Sequence, residues 1–310
     1  MSGAAFTAAC IQFTAGPDPD PNLQQVSELI RQARGAGADL IMTPEVSNFI
    51  ESGRKRRDKA RREADDPFLA GMRGLARETG AWILVGSLVI DPAGEPGAEA
   101  GEERLANRSF LIDAEGAIVA RYDKIHMFDI DLPGGESYRE SNAYRPGGGT
   151  VVAETPWGRL GMTVCYDVRF PHLYRALAQA GADFLAVPSV FTVPTGKAHW
   201  HVLLRARAIE NGCFVFAPAQ WGEHAGGRRS YGHSLIVDPW GEVIADGGEA
   251  PGIITAQIDP ARIAKARGIV PSLQHDRGFT PPEVARPPLP LSSVVCPRRN
   301  DRHRALSMTR

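Results

Sequence analysis

The sequence predicts an α/β fold built on mixed sheets, and three observations carry that prediction. Apolar runs of strand length alternate with stretches of helical periodicity through most of the chain. From Ser234 onward the pattern changes to short strands separated by turns, which calls for an antiparallel portion rather than a purely parallel sheet. No linker or internal repeat divides the first 280 residues, so residues 1–280 read as one domain, followed by a Pro- and Arg-rich tail over 281–310 with little structure of its own.

Residues 6 to 13 read as a first strand and 22 to 34 as a helix, with Leu23, Val26, Leu29 and Ile30 at helical spacing. A short buried strand over 39 to 42 then delivers Glu45. The Arg- and Lys-crowded segment from 51 to 63 reads as a solvated helix face or loop and is assigned no function. Residues 81 to 90 form a long β-rich run, and the Gly-, Ala- and Glu-rich stretch over 91 to 103 reads as a surface excursion. Two strands, 109 to 112 and 117 to 122, make a hairpin around Glu115-Gly116 and end at Lys124. The polar stretch that follows, to about Gly149, is too long for an idle connection.

The run from Leu160 ends at Cys165 and turns at once into a helix, with Pro171 in its first turn and Leu173, Ala176, Leu177 and Ala180 on one face. Residues 184 to 188 are another buried strand. A helix from about His199 to Glu210 is expected to bury Val202, Leu203, Ala206 and Ile209 before residues 213 to 217 return as a strand. Short strands over 234 to 237, 243 to 245 and 253 to 258 complete the order.

The composition bounds the function. A formal net charge of −1 gives no reason to expect nucleic acid or an anionic membrane as partner, and no apolar run reaches the roughly 18 residues of a membrane span. A small molecule is the expected partner. Four cysteines without a Cys-x-x-Cys pair suit a reducing, cytoplasmic setting, where a nucleophilic thiol survives.

A lone cysteine after a strand is ordinarily a packing residue. Cys165 differs in its company, because Glu45 and Lys124 also sit at the polar ends of strand-like runs. A thiol at a strand-to-helix turn points out of the sheet, and helix-start N–H groups are expected to lower its pKa. Glu45 can take the thiol proton, and Lys124, with the N–H of Tyr166, can hold an oxyanion as the thiol attacks an amide carbonyl. The same carboxylate can then activate water against the thioester. Such a base is expected to carry a raised pKa through burial near a second carboxylate, for which Glu140 is the candidate.

The strings around these residues resemble a known family. Tyr122-Asp123-Lys124-Ile125-His126, Arg139-Glu140-Ser141-Asn142, Cys165-Tyr166-Asp167-Val168-Arg169-Phe170-Pro171 and Ser230-Tyr231-Gly232-His233-Ser234 are similar to the nitrilase superfamily of carbon–nitrogen hydrolases. Within it they look like the branch containing omega-amidase and deaminated-glutathione amidase. The resemblance implies a four-layer α-β-β-α sandwich that dimerises through helices, those after Cys165 and from His199 among them. It implies Glu45 as base, Lys124 as the family's lysine, Cys165 as nucleophile and Glu140 as second glutamate, with no cofactor.

The implied substrate is a small amide that also carries a carboxylate, such as deaminated glutathione or 2-oxoglutaramate. Arg169 is the first candidate for its cationic anchor, and Tyr166, Phe128, Phe191 and Thr195 for the pocket walls. A carbamoyl amide hydrolase, an aliphatic amidase, a nitrilase or a non-catalytic thiol module are the alternatives. The pairs His199 and His201, and His224 and His233, lack a third metal ligand at a familiar spacing, so no metal is expected. His172 stands where close relatives have an acidic residue.

Overall fold

The computed structural model of the chain describes residues 3–95, 103–132 and 135–281. Its elements run β1 (Phe6–Gln12), α1 (Pro19–Gly35), β2 (Leu40–Met42), α2 (Gly53–Lys59), α3 (Pro67–Thr79), β3 (Trp82–Ile90), β4 (Ala106–Ile112) and β5 (Ile118–Asp123). A small hairpin, β6 (Asp129–Asp131) and β7 (Ser137–Arg139), precedes β8 (Val151–Thr155), β9 (Gly158–Met162), α4 (Pro171–Gln179), β10 (Phe184–Ala186), α5 (Val193–Asn211) and β11 (Phe214–Ala217). The chain continues through β12 (Trp221–Glu223), β13 (Arg229–Tyr231), β14 (Leu235–Val237), β15 (Val243–Asp246), β16 (Gly252–Ile258) and α6 (Ala261–Ile269).

Two six-stranded sheets form among the described residues, in the orders β16-β1-β2-β3-β4-β5 and β15-β14-β11-β10-β9-β8. Each has three parallel strands at its centre, β1-β2-β3 in one and β9-β10-β11 in the other, with antiparallel strands outside them. The mixed sheets expected from the change of pattern after Ser234 are present.

The layering follows from the two-residue period of β1, whose seven residues are all buried. Phe6, Ala8 and Cys10 pack into one core with Leu160, Met162, Phe184 and Phe216 of the second sheet. Ala9 and Ile11 face the other way, into a core with Val26 and Ile30 of α1 and Phe68, Met72 and Leu75 of α3. On the far side of the second sheet, Leu173 and Leu177 of α4 and Trp200 and Leu204 of α5 close the sandwich. The order is helices, sheet, sheet, helices.

Two expectations are corrected, and one helix was not expected. The helix expected from His199 begins at Val193 and buries Thr195, Gly196, Trp200, Leu204, Arg207, Ala208 and Asn211, leaving Val202 66% and Ile209 51% exposed. Apolar residues occupy two stripes of α5, and the wrong one was expected inside. Arg207 takes an inner place because its Nε donates to the Val168 carbonyl at 2.9 Å and its guanidinium lies over the Tyr174 ring. In α4, Tyr174 and Ala178 are buried where Ala176 and Ala180 were expected. Helix α3 went unread because two glycines interrupt its apolar pattern, although Asp66 caps it by accepting from the Leu69 N–H at 2.8 Å.

Of the expected surface excursion, residues 96–102 lie outside the described residues, as does the tail beyond residue 281. Met1–His275 form one compact unit.

Candidate active site

Glu45 follows the end of β2 by three residues, and Cys165 follows the end of β9 by three. Both therefore stand at the carboxyl ends of parallel strands, where open α/β sheets leave room for a ligand. Lys124 comes directly after β5, and Glu140 opens a single 3-10 turn after β7.

The backbone at Cys165, and directly after Glu45, is unusual. Val46 and Cys165 have φ of 55° and 51°, a left-handed conformation that a β-branched or ordinary side chain adopts only when its surroundings enforce it. At Val46 the enforcement is a hydrogen bond from its N–H to Ser87 Oγ at 2.8 Å. At Cys165 it is a hydrogen bond from its N–H to the Pro188 carbonyl at 2.9 Å. Cys165 opens a 3-10 turn to Arg169, and Asp167 ties that turn back by accepting from the Val164 N–H at 2.9 Å, the Tyr122 hydroxyl at 2.7 Å and the His126 N–H at 3.1 Å. The Tyr166 N–H lies in the first turn of a helical segment, where N–H groups lack intrahelical acceptors.

Lys124 is 2% exposed and Glu45 is 3% exposed. The Lys124 Nζ donates to Glu45 Oε1 at 2.9 Å and to both oxygens of Glu140 at 3.0 and 2.9 Å. Asn107 Nδ2 donates to Glu45 Oε1 at 2.9 Å and to Glu140 Oε1 at 3.3 Å. Backbone N–H groups complete the cradle, from Val190 to Glu45 Oε2 at 2.7 Å and from Phe128 to Glu140 Oε2 at 2.6 Å. Gln220 Nε2 holds the Glu45 carbonyl at 3.1 Å.

These contacts set the resting charges. Burial alone would raise the Glu45 carboxyl, but the Lys124 charge and hydrogen bond, the Cys165 thiol and Asn107 together hold it below its ordinary value. The expected raised base is thus reversed. For Lys124, burial acts to lower the pKa, and the charges of Glu140 and Glu45, with the hydrogen bond to Glu140, overcome it and push the pKa well up. Burial, then the adjacent Glu45 charge, raises the Cys165 thiol despite Lys124. The helix-start lowering expected for Cys165 does not prevail, because the sulfur is enclosed and faces a carboxylate. The resting set is carboxylate, ammonium and neutral thiol.

Glu45, Lys124, Glu140 and Cys165 line one cavity of about 150 Å³, together with Asn107, Phe128, Tyr166 and Phe191. Its volume suits the reacting part of a small molecule. One expected wall residue and the expected anchor are elsewhere. Thr195 is buried in α5 with its hydroxyl 2.8 Å from that of Thr192. Arg169 is not among the lining residues: the 3-10 turn directs it to α5, where its guanidinium nitrogens stand 3.3 Å from His199 Nδ1 and over the rings of Tyr166 and Phe191. The arginines that do line the cavity are Arg56, Arg139 and Arg228.

Asn107, Val190, Gln220, Arg56 and Arg228 were not anticipated as site residues. A signal existed for Asn107, since three consecutive polar residues, Asn107-Arg108-Ser109, lie in a strand that is buried throughout. Away from the cavity, ligand atoms of His201, His233 and Asp246 lie within 4.8 Å of one another, a set that could hold a cation. In this structure the two imidazoles hydrogen-bond to the Asp246 carboxylate, at 3.1 and 2.9 Å.

The sequence model of the family described as carbon-nitrogen hydrolase matches residues 7–268. The chain belongs to the carbon–nitrogen hydrolase family. It is an enzyme of that class, with the nitrilase-type fold. Deaminated glutathione amidase of Yersinia enterocolitica is 42% identical over 270 residues, covering 87% of this chain and 92% of the relative. The Caenorhabditis elegans NitFhit protein superposes with a TM-score of 0.81 at 36% identity, covering 89% of this hydrolase and 66% of that chain. A variant of the amidase from Nesterenkonia sp. AN1, with the acetamide moiety of fluoroacetamide covalently added at its active-site cysteine, superposes at 0.73 with 29% identity, over 89% of this chain and 95% of that one. No helix among the described residues is long and apolar enough to cross a membrane.

Proposed function

We propose that this hydrolase cleaves the amide bond of a small carboxylate-bearing substrate through a thioester on Cys165, with deaminated glutathione as the first candidate and 2-oxoglutaramate as the second. The observation that carries the reading is the enclosure of the Cys165 thiol against a Glu45 carboxylate whose other contacts are Lys124, Asn107 and the Val190 N–H.

As sulfur bonds to the substrate carbonyl carbon, its proton passes to Glu45 and the carbonyl electrons move onto oxygen. Lys124 and the Tyr166 N–H stabilise that oxyanion. On collapse of the tetrahedral adduct the carbon–nitrogen bond breaks, and Glu45 returns the proton to the departing nitrogen. Water, losing a proton to Glu45, then attacks the thioester, and the carboxylic acid leaves as the thiol is restored. Glu140 keeps the Lys124 ammonium oriented through both halves of the cycle. The raised thiol and the ionised Glu45 favour concerted proton transfer over a preformed thiolate.

A homodimer that covers Val202 and Ile209 of α5 fits the exposure of these two apolar side chains, and the cytoplasm fits a nucleophilic thiol. The decisive test is release of amine or ammonia from the two candidate amides, with intact-protein mass measured after rapid quenching. A mass increase equal to the acyl group on the native chain, and none on Cys165→Ala, is expected. Undiminished turnover by Cys165→Ala would end the proposal.

A further inference from the structure

Four cationic side chains line the cavity, and their partners differ. Lys124 lies between Glu45 and Glu140, so that this trio carries a net negative charge and repels a substrate carboxylate. Arg139 is neutralised, since its Nη2 stands 2.9 Å from each oxygen of Asp131. Arg56 and Arg228 have no carboxylate partner among the described residues. Arg56 donates from Nε to the Glu51 carbonyl at 2.8 Å and lies over the Tyr144 ring. Arg228 donates from Nη2 to the Val190 carbonyl at 3.0 Å, lies over the Tyr138 ring, and leaves its buried Nε without a hydrogen-bond partner.

A half-buried guanidinium in a cavity wall without an anion is an incomplete arrangement. Its delocalised charge and fork of donors match a carboxylate, and each aromatic face holds the fork without neutralising it. The position of Arg228 is also specific: Val190 gives its N–H to Glu45 and its carbonyl to Arg228, so one residue separates the carboxylate base from this cation. Arg56 comes from α2, a separate element.

We infer that Arg56 and Arg228 are two carboxylate anchors, and that the substrates of this cavity are amides bearing two carboxylates. The inference rests on the amidase reading and selects within it. Deaminated glutathione carries one carboxylate on each side of its scissile amide, whereas 2-oxoglutaramate carries one in all. The cavity therefore favours the former. The Arg- and Lys-rich segment from 51 to 63, to which the sequence assigned no function, supplies one of the anchors.

The test uses the full chain with Arg56→Gln and Arg228→Gln introduced separately. In native turnover each change raises KM for deaminated glutathione by about tenfold or more, the loss typical of a charge-assisted pair, with a much smaller change in kcat. One of the two changes, and only one, also raises KM for 2-oxoglutaramate, because a single carboxylate occupies a single anchor. In a Cys165→Ala background, calorimetry with deaminated glutathione shows the same order of loss in Kd, free of any effect on the chemistry. If either arginine change leaves both KM and Kd for deaminated glutathione within twofold, or if both or neither weaken 2-oxoglutaramate, the inference is overturned. Failure of the amidase reading is separate: the unsubstituted enzyme would then turn over neither amide.

Discussion

The Lys124 ammonium stands 2.9 Å from the Glu45 carboxylate, and solvent reaches almost none of either side chain. A surface pair of this kind would contribute little, but an enclosed pair responds asymmetrically to loss of one partner. Lys124→Met would leave Glu45 and Glu140 facing each other without a cation. Breaking a buried pair in this way costs about 3–5 kcal/mol, and removing an oxyanion donor slows turnover by about 100- to 1,000-fold. Urea unfolding and kcat check the two effects. Lys124→Met with native stability and rate would show that the cluster is neither strained by its charges nor used in the reaction.

The neutral resting thiol makes a second prediction. Because burial and Glu45 both raise the Cys165 pKa, thiolate is scarce at neutral pH, and the folded state has to be alkylated through a small ionised fraction. The rate of carboxamidomethylation at Cys165 should climb about tenfold for each pH unit without levelling off by pH 9. Glu45→Gln should speed alkylation at fixed pH by removing the negative charge beside sulfur, while it abolishes amide turnover. A plateau near neutrality would instead mean a stored thiolate.

His224 gives the fold a pH dependence of its own. Burial lowers its pKa from an ordinary 6.5 to about 4. The neutral ring is the form accommodated, with Nδ1 2.9 Å from the Ala15 carbonyl and Nε2 2.8 Å from the Ser230 hydroxyl. Between those two pH values the unfolded chain binds a proton that the folded chain refuses, so the contribution is present above 6.5 and is lost as pH falls toward 4. At roughly 1.4 kcal/mol for each pH unit, the loss is about 3 kcal/mol. Denaturant unfolding from pH 7 to pH 4 should show it, and His224→Gln should flatten the slope. An equal slope in both proteins would assign the loss to other groups.

That Glu45, Lys124 and Cys165 stand together was legible because each follows a strand-like run, and a glutamate and a lysine at such ends, unlike a cysteine alone, are seldom there for packing. The mixed sheets were legible from apolar periodicity and the change of pattern after Ser234, whereas the strand order within each sheet was not, because it is set by long-range pairing. What the sequence concealed depends on distant contacts. Arg169 looked like the anchor by closeness to Cys165 along the chain, yet the 3-10 turn sends it to His199, and Arg228 reaches the cavity from 63 residues beyond the nucleophile. The Glu45 pKa likewise reversed once Lys124, Asn107 and Cys165 were all within reach, since pairwise charges add in space and not along the chain.

Gly86, in an irregular stretch of β3, shows how closely the two sheets hold Glu45. A methyl group there would overlap the Thr43 carbonyl oxygen and stand 2.6 Å from the Pro44 oxygen and 2.5 Å from Pro188 Cβ. Thr43 and Pro44 lead directly into Glu45, and the Pro188 carbonyl holds the Cys165 N–H. Gly86→Ala therefore presses on the base and the nucleophile at once, and since the obstructing atoms are mostly backbone, they cannot swing aside. Overpacking of this kind costs about 1–3 kcal/mol, and a displacement of reacting groups by about 1 Å is enough to slow catalysis about 100-fold. The expected variant is folded, less stable to urea, and impaired in kcat more than in KM, because Arg56 and Arg228 belong to other segments. A native kcat in Gly86→Ala would show that the backbone around Glu45 yields without moving the carboxylate from Cys165.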